Sequence, residues 1–581
     1  ALLISPERLA NENFMNNILR PIADRIGLFV VDEAHCISDW GHDFRPDYRR
    51  IINILKFMPD GMPVLGTTAT ANNRVCDDIV SQLGDIEIIR GALTRKSLIL
   101  QNIQQKDQAS RLAWLKENIQ KLPGSGIIYT LTKRDARIVT EWLIQCDIEA
   151  AYYYSGATND KFEDSNEYRK YLEDSLYNNE IKVLVATSAL GMGYDKPDLG
   201  FVVHYQAPSS IISYYQQVGR AGRAIKKAYG ILFSGEEDSD IHTYFRQSAF
   251  PPENRVQDIL DKIEEEDGLS VPDLMKHLNL RKGQIEQVLK YLSVEESSPI
   301  IKIETKWMRT AIDYEMDPDK ALRLTNQRLI EWNDVKNYIN TNHCLMNYLQ
   351  NSLDDPNSTI CGRCANCDKD AKISEDILHD NGVKAALFLR HSEFDIKLKI
   401  RVQSDALSKY GFSGNLPQDL RSEMGKSLSR WGDAGWGKIV AEDKHNNHFR
   451  DELVDAFYEM INERWTLEPF PTWVTCIPSF RHPELVPSFA KRLANKLGLP
   501  FISVVSKREE TAPQKEQENS YFQCKNLDGI FEINDVKQNE PVLLIDDAID
   551  SGWTLTIAAA LLRQSGSGLV YPATLTSTSV N

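Results

Sequence analysis

No stretch of this 581-residue chain approaches the ~20 uninterrupted apolar residues that a membrane span needs, and neither a low-complexity tract nor a solenoid period is visible. A membrane partner is therefore not expected. An excess of positive charge is missing as well: 67 Lys and Arg against 83 Asp and Glu give a formal net charge of −16, which argues against a protein that coats nucleic acid by bulk electrostatics while leaving room for a local basic groove. Of nine cysteines, Cys36, Cys76, Cys146, Cys476 and Cys524 stand singly, a pattern that speaks against a disulfide framework. The other four share one cluster, which suits a reducing cytoplasm and one metal site. The chain opens on Ala1-Leu2-Leu3-Ile4-Ser5-Pro6 without an initiator Met and reads as a strand end running into a helix. It looks truncated, so targeting signals are not legible.

What is present is a rhythm of short apolar runs and longer helical stretches. Residues 28–31, 64–66, 126–130, 150–154, 182–186, 201–205 and 230–233 read as buried strands, with helix-length segments such as 134–145 and 167–178 between them. That order predicts parallel α/β sheets. Two sheets fit, with a boundary near residues 91–97 where the rhythm pauses. At about 150 residues per domain, the length suggests roughly four domains in all.

The strongest chemistry lies where these strands end. Asp32-Glu33-Ala34-His35 follows an apolar run, which places two adjacent carboxylates at the carboxyl edge of a strand, where open sheets bind ligands. Phosphoryl transfer uses such a pair: one acid holds Mg²⁺ and the next orients the attacking water. In Gln216-Gln217-Val218-Gly219-Arg220-Ala221-Gly222-Arg223, two arginines three apart share a helix face and can stabilise charge on a γ-phosphate. The run 186–197 contains Gly191, Gly193 and Asp195 and ends another strand in a loop suited to close backbone approach. Together, and in this order, these stretches resemble the motifs of superfamily 2 helicases, and Thr67-Thr68-Ala69-Thr70 is similar to the motif that couples the two lobes. The resemblance implies that Asp32 organises Mg²⁺, Glu33 activates water, Arg220 and Arg223 face the γ-phosphate, His35 and Gln216 sense the nucleotide, and Gly193 and Asp195 meet ATP.

Directly after the acidic motif, residues 36–46 resemble the aromatic-rich loop of RecQ helicases, in which Trp40 and Phe44 would stack on bases and Arg45 would pair with phosphate. With Thr68 and Thr70 these are the expected DNA-binding and coupling residues. Cys344, Cys361, Cys364 and Cys367 have the tight spacing that aims four thiols at one Zn²⁺, although an iron–sulfur cluster also uses four cysteines. RecQ helicases carry a similar helical zinc module, which strengthens zinc as the structural metal. Between motor and cluster, residues 270–280 and the amphipathic run 282–292 suggest a helix-turn-helix, and 300–303 with 306–309 a hairpin wing. In typical RecQ proteins the winged helix follows the zinc module; here it precedes it.

A Gly-x-x-x-x-Gly-Lys-Ser/Thr phosphate loop is expected upstream of Ala1, and without it the fragment should be a poor ATPase. The near match Gly432-Asp433-Ala434-Gly435-Trp436-Gly437-Lys438 carries Ile439 where the hydroxyl belongs and reads as a Trp/Gly-rich turn. Residues 542–554 form a second strand-acid-loop pattern. They resemble the phosphoribosyl diphosphate motif of type I phosphoribosyltransferases, and residues 473–479, 489–494 and 526–531 resemble the competence-associated ComF subgroup. The resemblance assigns Asp546 and Asp547 to ribose hydroxyls, and Ser551, Gly552 and Thr554 to the 5′-phosphate. Trp553 stands out there by its bulk.

The expected architecture is therefore α/β and multidomain. It comprises a first RecA-like lobe (1–93, incomplete), a second RecA-like lobe (94–248), a winged helix (250–312), a helical zinc module (318–372), a connecting region (373–467) and a phosphoribosyltransferase-like domain (468–581). The family reading implies an ATP-dependent 3′–5′ DNA helicase in repair or recombination, cytoplasmic and nucleoid-associated in a bacterium. Its ligands would be ATP, Mg²⁺, Zn²⁺ and DNA junctions, with phosphoribosyl diphosphate at the last domain. Two other readings share these features: a DNA-translocating ATPase that does not separate strands, and a phosphoribosyltransferase delivered to nucleic acid.

Overall fold

The computed structural model describes every residue except 38–45, 60, 71, 85, 106, 160, 163, 192, 236, 296, 392 and 579–581. It divides into two compact units, Ala1–Gly268 with Gln287–Gly382, and Leu269–Glu286 with Val383–Asn581. Among the described residues, no helix is long and apolar enough to cross a membrane.

In the first unit, β1 (Phe29–Val31) and β2 (Val64–Gly66) pair in parallel with Phe29 opposite Val64. Val31 faces a core of Leu19, Cys36, Ile37, Ile51 and Val75. A six-stranded sheet follows, built from β3 (Leu98–Gln104), β4 (Gly126–Tyr129), β5 (Ala150–Tyr153), β6 (Val183–Ala186), β7 (Phe201–His204) and β8 (Ala228–Ser234). Its order is β3-β8-β7-β4-β6-β5, and every pairing is parallel. Every residue of β4, β6 and β7 is buried, which is why these strands read as continuous apolar runs rather than alternating ones. The helices Lys133–Gln145 and Ser165–Tyr177 start where Thr132 and Asp164 accept main-chain N–H groups of the first turn. Parallel strands place all carboxyl ends on one edge, so the motifs that follow β4, β6 and β7 share that edge.

Three helices, Glu253–Glu265, Val271–His277 and Lys282–Ser293, precede the antiparallel hairpin of β9 (Ile300–Ile303) and β10 (Lys306–Arg309). The long helix Pro318–Asn340 and the shorter Leu345–Ser352 then lead to the cysteine cluster.

The second unit is built on β11 (Phe394–Ile396), β12 (Arg401–Leu407), β13 (Phe412–Asn415), β14 (Gly425–Ser427), β15 (Trp473–Cys476), β16 (Val505–Lys507), β17 (Phe531–Ile533), β18 (Val542–Ile549) and β19 (Val570–Ser577). Its main sheet runs β11-β14-β19-β18-β15, parallel except for β11. Alternate residues feed two cores: Trp473, Val542 and Leu544 pack with Trp553 on one face, while Val474, Leu543 and Ile545 pack with Phe489 on the other. Two departures from the expected boundaries stand out. Residues 394–427, expected in a connecting region, supply β11 and β14 of this sheet. These are three-residue strands held by main-chain pairing, and Gly425-Lys426-Ser427 has no apolar run to announce it. Residues 269–286, expected inside a 250–312 domain, belong to the second unit because Asn279, Arg281 and the carbonyls around them bond to residues 516–519.

Gly200 lies where the chain enters β7, and a methyl group there would overlap the carbonyl oxygen of Pro123. Gly200→Ala should therefore cost about 1–3 kcal/mol through forced backbone movement. Gly283→Ala, with open space around it near the start of a helix, should be neutral or stabilising by up to about 1 kcal/mol. Urea denaturation followed by far-ultraviolet circular dichroism checks both; equal midpoints for the two variants would contradict the close approach at Gly200.

Candidate motor, metal and phosphate-binding sites

The end of β1 is tied to the end of β2. Thr67 N–H donates to the Val31 carbonyl at 2.9 Å, and Ala34 N–H donates to the Thr67 carbonyl at 2.8 Å. These bonds set Asp32 and Glu33 beyond the sheet edge. Asp32 Oδ1 accepts from Thr67 Oγ1 at 2.8 Å and from the Glu33 N–H at 3.0 Å. Glu33 holds φ at +50°, a left-handed backbone that non-glycine residues adopt at a cost and keep where the surroundings impose it. Buried His35 has Nδ1 3.2 Å from Glu33 Oε2 and 2.9 Å from Thr68 Oγ1. Thr68 Oγ1 donates to the Thr70 carbonyl at 3.1 Å. Gln216 Nε2, on the helix Ile211–Val218, donates to Thr70 Oγ1 at 2.7 Å. A chain of polar contacts thus runs from Glu33 through His35, Thr68 and Thr70 to Gln216, with Tyr215 Oη donating to the Leu93 carbonyl at 2.5 Å beside it.

The arginines are anchored within the six-stranded lobe. Arg220 Nη1 donates to the Tyr194 carbonyl at 2.7 Å, and Arg223 Nη1 lies 2.8 Å from Asp195 Oδ1. Gly193 precedes Tyr194 on the same loop. Arg220 is buried while Arg223 is exposed. Burial pushes the Tyr129 phenol up, with the neighbouring Arg220 charge opposing it. Among the described contacts the arginines meet Tyr194 and Asp195 rather than the acid pair. Trp40, Phe44 and Arg45 lie outside the described residues.

The four clustered sulfurs, Cys344, Cys361, Cys364 and Cys367, all lie within 4.8 Å of one another. Four thiolates around one zinc ion at about 2.3 Å sit roughly 3.8 Å apart, so the spacing suits a single ion. Main-chain N–H groups already point at the sulfurs: Cys361 N–H donates to Cys344 Sγ at 3.2 Å, Cys364 N–H to Cys361 Sγ at 3.4 Å, and Leu345 N–H to Cys364 Sγ at 3.4 Å. Asn366 Nδ2 donates to the carbonyls of Thr341 and His343 at 2.9 and 2.8 Å, tying the second half of the cluster to the first. Hydrogen bonding between the thiols pulls Cys364 down toward thiolate and pushes Cys361 up. Such a donor set fits a closed structural Zn²⁺ site.

The stretch 432–438 folds around its own acid. Asp433 Oδ1 accepts the N–H groups of Gly437 at 2.7 Å and Gly435 at 3.1 Å, and Oδ2 accepts that of Arg430 at 2.8 Å. The amides that would cradle a phosphate are spent on Asp433, in keeping with a turn.

In the second unit, Asp546 and Asp547 lie on β18. Asp546 is nearly fully buried, and burial, then repulsion from Asp547, drives its carboxyl well above the usual range. Two lysines answer that charge. Lys444 Nζ is 2.7 Å from Asp547 Oδ2, and Lys507, itself lowered by burial, is held toward its charged form by both acids. The neighbouring Cys476 thiol is pushed up to about 12 by burial and by Asp546. Gly552 takes φ +84° at the head of the helix Trp553–Gln564, a conformation that favours glycine, with Ser551 before it and Thr554 in the first turn. Trp553 turns its bulk into the core beside Leu544 and Leu555, away from the loop.

Sequence reasoning missed Lys444 and Lys507, because residues so far along the chain from an acid pair carry no local signal of facing it. It also missed Tyr48, whose hydroxyl donates to the Asp32 carbonyl at 3.3 Å.

Residues 1–79 match the DEAD/DEAH box helicase model, and residues 110–225 match the helicase conserved C-terminal domain. The chain is 34% identical over 258 residues to the ATP-dependent DNA helicase RecQ of Bacillus subtilis (strain 168), covering 44% of this chain and 42% of that protein. It is 35% identical over 245 residues to the RecQ-like DNA helicase BLM of Xenopus laevis, covering 41% of this chain and 17% of that protein. The chain thus spans less than half the length of either relative. Among solved structures, S. cerevisiae Dbp5 bound to RNA and ADP BeF3 is 22% identical with a TM-score of 0.34, covering 42% of this chain and 62% of that one. The first 225 residues therefore carry helicase domains similar to those of the RecQ type.

Proposed function

We propose that this protein is an ATP-dependent DNA helicase of the RecQ-like type that moves 3′ to 5′ and serves DNA repair or recombination. The observation that carries the reading is the polar chain from Glu33 through His35, Thr68 and Thr70 to Gln216. It joins the acid that would activate water to the helix that leads to Arg220 and Arg223, so nucleotide state and the relation of the two sheets would be read by the same bonds. Asp32 would hold Mg²⁺, and Trp40, Phe44 and Arg45 would grip a single strand. The three helices and hairpin of residues 253–309 support a winged helix, and the similarity to RecQ-type DNA helicases supports DNA as the track.

Glu33→Gln in the full-length protein should leave ATP binding in place and lower single-strand-stimulated hydrolysis by at least about 100-fold, as expected for loss of a general base. Steady-state turnover with and without a single-stranded oligonucleotide measures this; unchanged stimulation would refute the assignment. A forked-duplex unwinding assay on the wild type separates a helicase from a translocase that leaves strands paired.

The cysteine cluster would hold one structural Zn²⁺ that stiffens the helices behind the motor. Cys361→Ser should lower the bound zinc to well below one per chain and reduce thermal stability, since metal-binding energy is folding energy at such sites. Elemental analysis with a melting curve checks it, and full zinc occupancy in the variant would remove Cys361 from the ligand set.

For the second unit, the acid pair answered by Lys444 and Lys507 beside the loop of Ser551, Gly552 and Thr554 supports a phosphoribosyl diphosphate site. The acids would receive ribose hydroxyls, and the lysines would neutralise the diphosphate. Calorimetric titration should show binding that Asp546→Asn with Asp547→Asn abolishes; no heat from the wild type would leave this unit as a docking module.

A further inference from the structure

The turn of the helix-turn-helix is already gripped by the second unit's own chain. Asn519 is buried, and its Nδ2 lies 2.9, 2.9 and 3.0 Å from the carbonyl oxygens of Met275, Leu278 and Leu280. Its Oδ1 caps the helix Ser520–Lys525 through the N–H groups of Tyr521 and Phe522. Asn279 Nδ2 donates to the Glu516 carbonyl at 2.9 Å, while Asn279 Oδ1 accepts the Glu518 N–H at 2.7 Å. At the head of the second helix, Arg281 Nε sits 2.6 Å from Glu518 Oε2.

This placement matters because helix-turn-helix modules present the N-terminal residues of the second helix to the DNA, and arginine there pairs with phosphate or base edges. Here that end of Lys282–Ser293 faces a carboxylate instead. A carboxylate and a phosphate oxygen attract a guanidinium by the same opposite-charge pairing, so the Glu518 ion pair takes the position a backbone phosphate would claim. An exposed ion pair alone contributes little and would yield readily to DNA. Asn519, whose buried Nδ2 meets three carbonyl oxygens, and the reciprocal Asn279 bonds change that, because all of these bonds must be exchanged for water together when the clasp opens.

We propose that residues 516–519 act as a built-in phosphate mimic that masks the DNA-facing end of the helix-turn-helix, so that duplex DNA gains this contact only when the clasp opens. The proposal rests on the nucleic-acid reading above and adds a control to it: the second unit competes with duplex for Arg281. Single-strand engagement by the motor does not use the turn and is independent of the clasp.

Fluorescence anisotropy on the full chain, with a short blunt duplex and a single-stranded oligonucleotide as separate probes, tests this. Glu518→Gln with Asn519→Ala should tighten duplex binding by about tenfold and steepen its salt dependence, with single-strand affinity unchanged. Adding Arg281→Ala to that background should cancel the gain. Glu518→Gln alone leaves Asn519 in place and serves if the double variant melts early; it should tighten duplex binding by about threefold. A folded Glu518→Gln protein with unchanged duplex affinity, or a gain that survives Arg281→Ala, would overturn the mask while retained single-strand binding kept the motor reading intact. A wild type that binds neither probe would overturn both.

Discussion

The coupling proposed within the motor depends on one hydrogen bond between side chains 146 positions apart, from Gln216 Nε2 to Thr70 Oγ1 at 2.7 Å. Thr70 is almost fully buried, so leaving its hydroxyl unmatched would cost about 1–3 kcal/mol, more than a surface contact would return. Burial is what makes the bond directional. It ties the loop after β2 to the helix Ile211–Val218, while Thr68 meets His35 and His35 lies against Glu33. On the side of Gln216 the chain ends on a sheet whose central strands β4, β6 and β7 are fully buried and cannot slide without unpairing whole ladders.

The same logic appears twice more, each time with polar groups concentrated where an apolar frame ends. At the cysteine cluster, main-chain N–H groups aimed at sulfur hold the thiols close before any ion is considered. On β18, buried Asp546 and part-buried Asp547 stand side by side with Lys444 and Lys507 opposing their charge. Polar clusters of this kind mark function more reliably than exposed charge does.

Much of this was legible in the sequence. The apolar runs of β1, β2, β4, β5, β6, β7 and β8 match within a residue or two at most ends, and the spacing of Cys361, Cys364 and Cys367 announced a cluster. β3 escaped notice for a physical reason: Gln101, Asn102 and Gln104 interrupt it. Gln101 exchanges bonds with the main chain of Ile373, Asn102 donates to the Tyr338 carbonyl, and Gln104 donates to Asn340, so polar residues on an edge strand serve the next module. β11 and β14 escaped because three residues are too few to show a period. At the site, Asp32, Glu33 and His35 could be named from their motif, but the link of His35 to Thr68 and the lysines facing Asp546 and Asp547 come from tertiary approach alone.

The most direct test of the shared chain is a double-mutant cycle on single-strand-stimulated ATP turnover in the full-length protein, with Thr70→Val and Gln216→Ala. If the two side chains act through their mutual bond, each variant alone loses most of the stimulation and the pair loses little more, a coupling of about 1 kcal/mol or greater. Losses that simply add, or stimulation that survives both substitutions, would contradict the chain as the link between acid and helix.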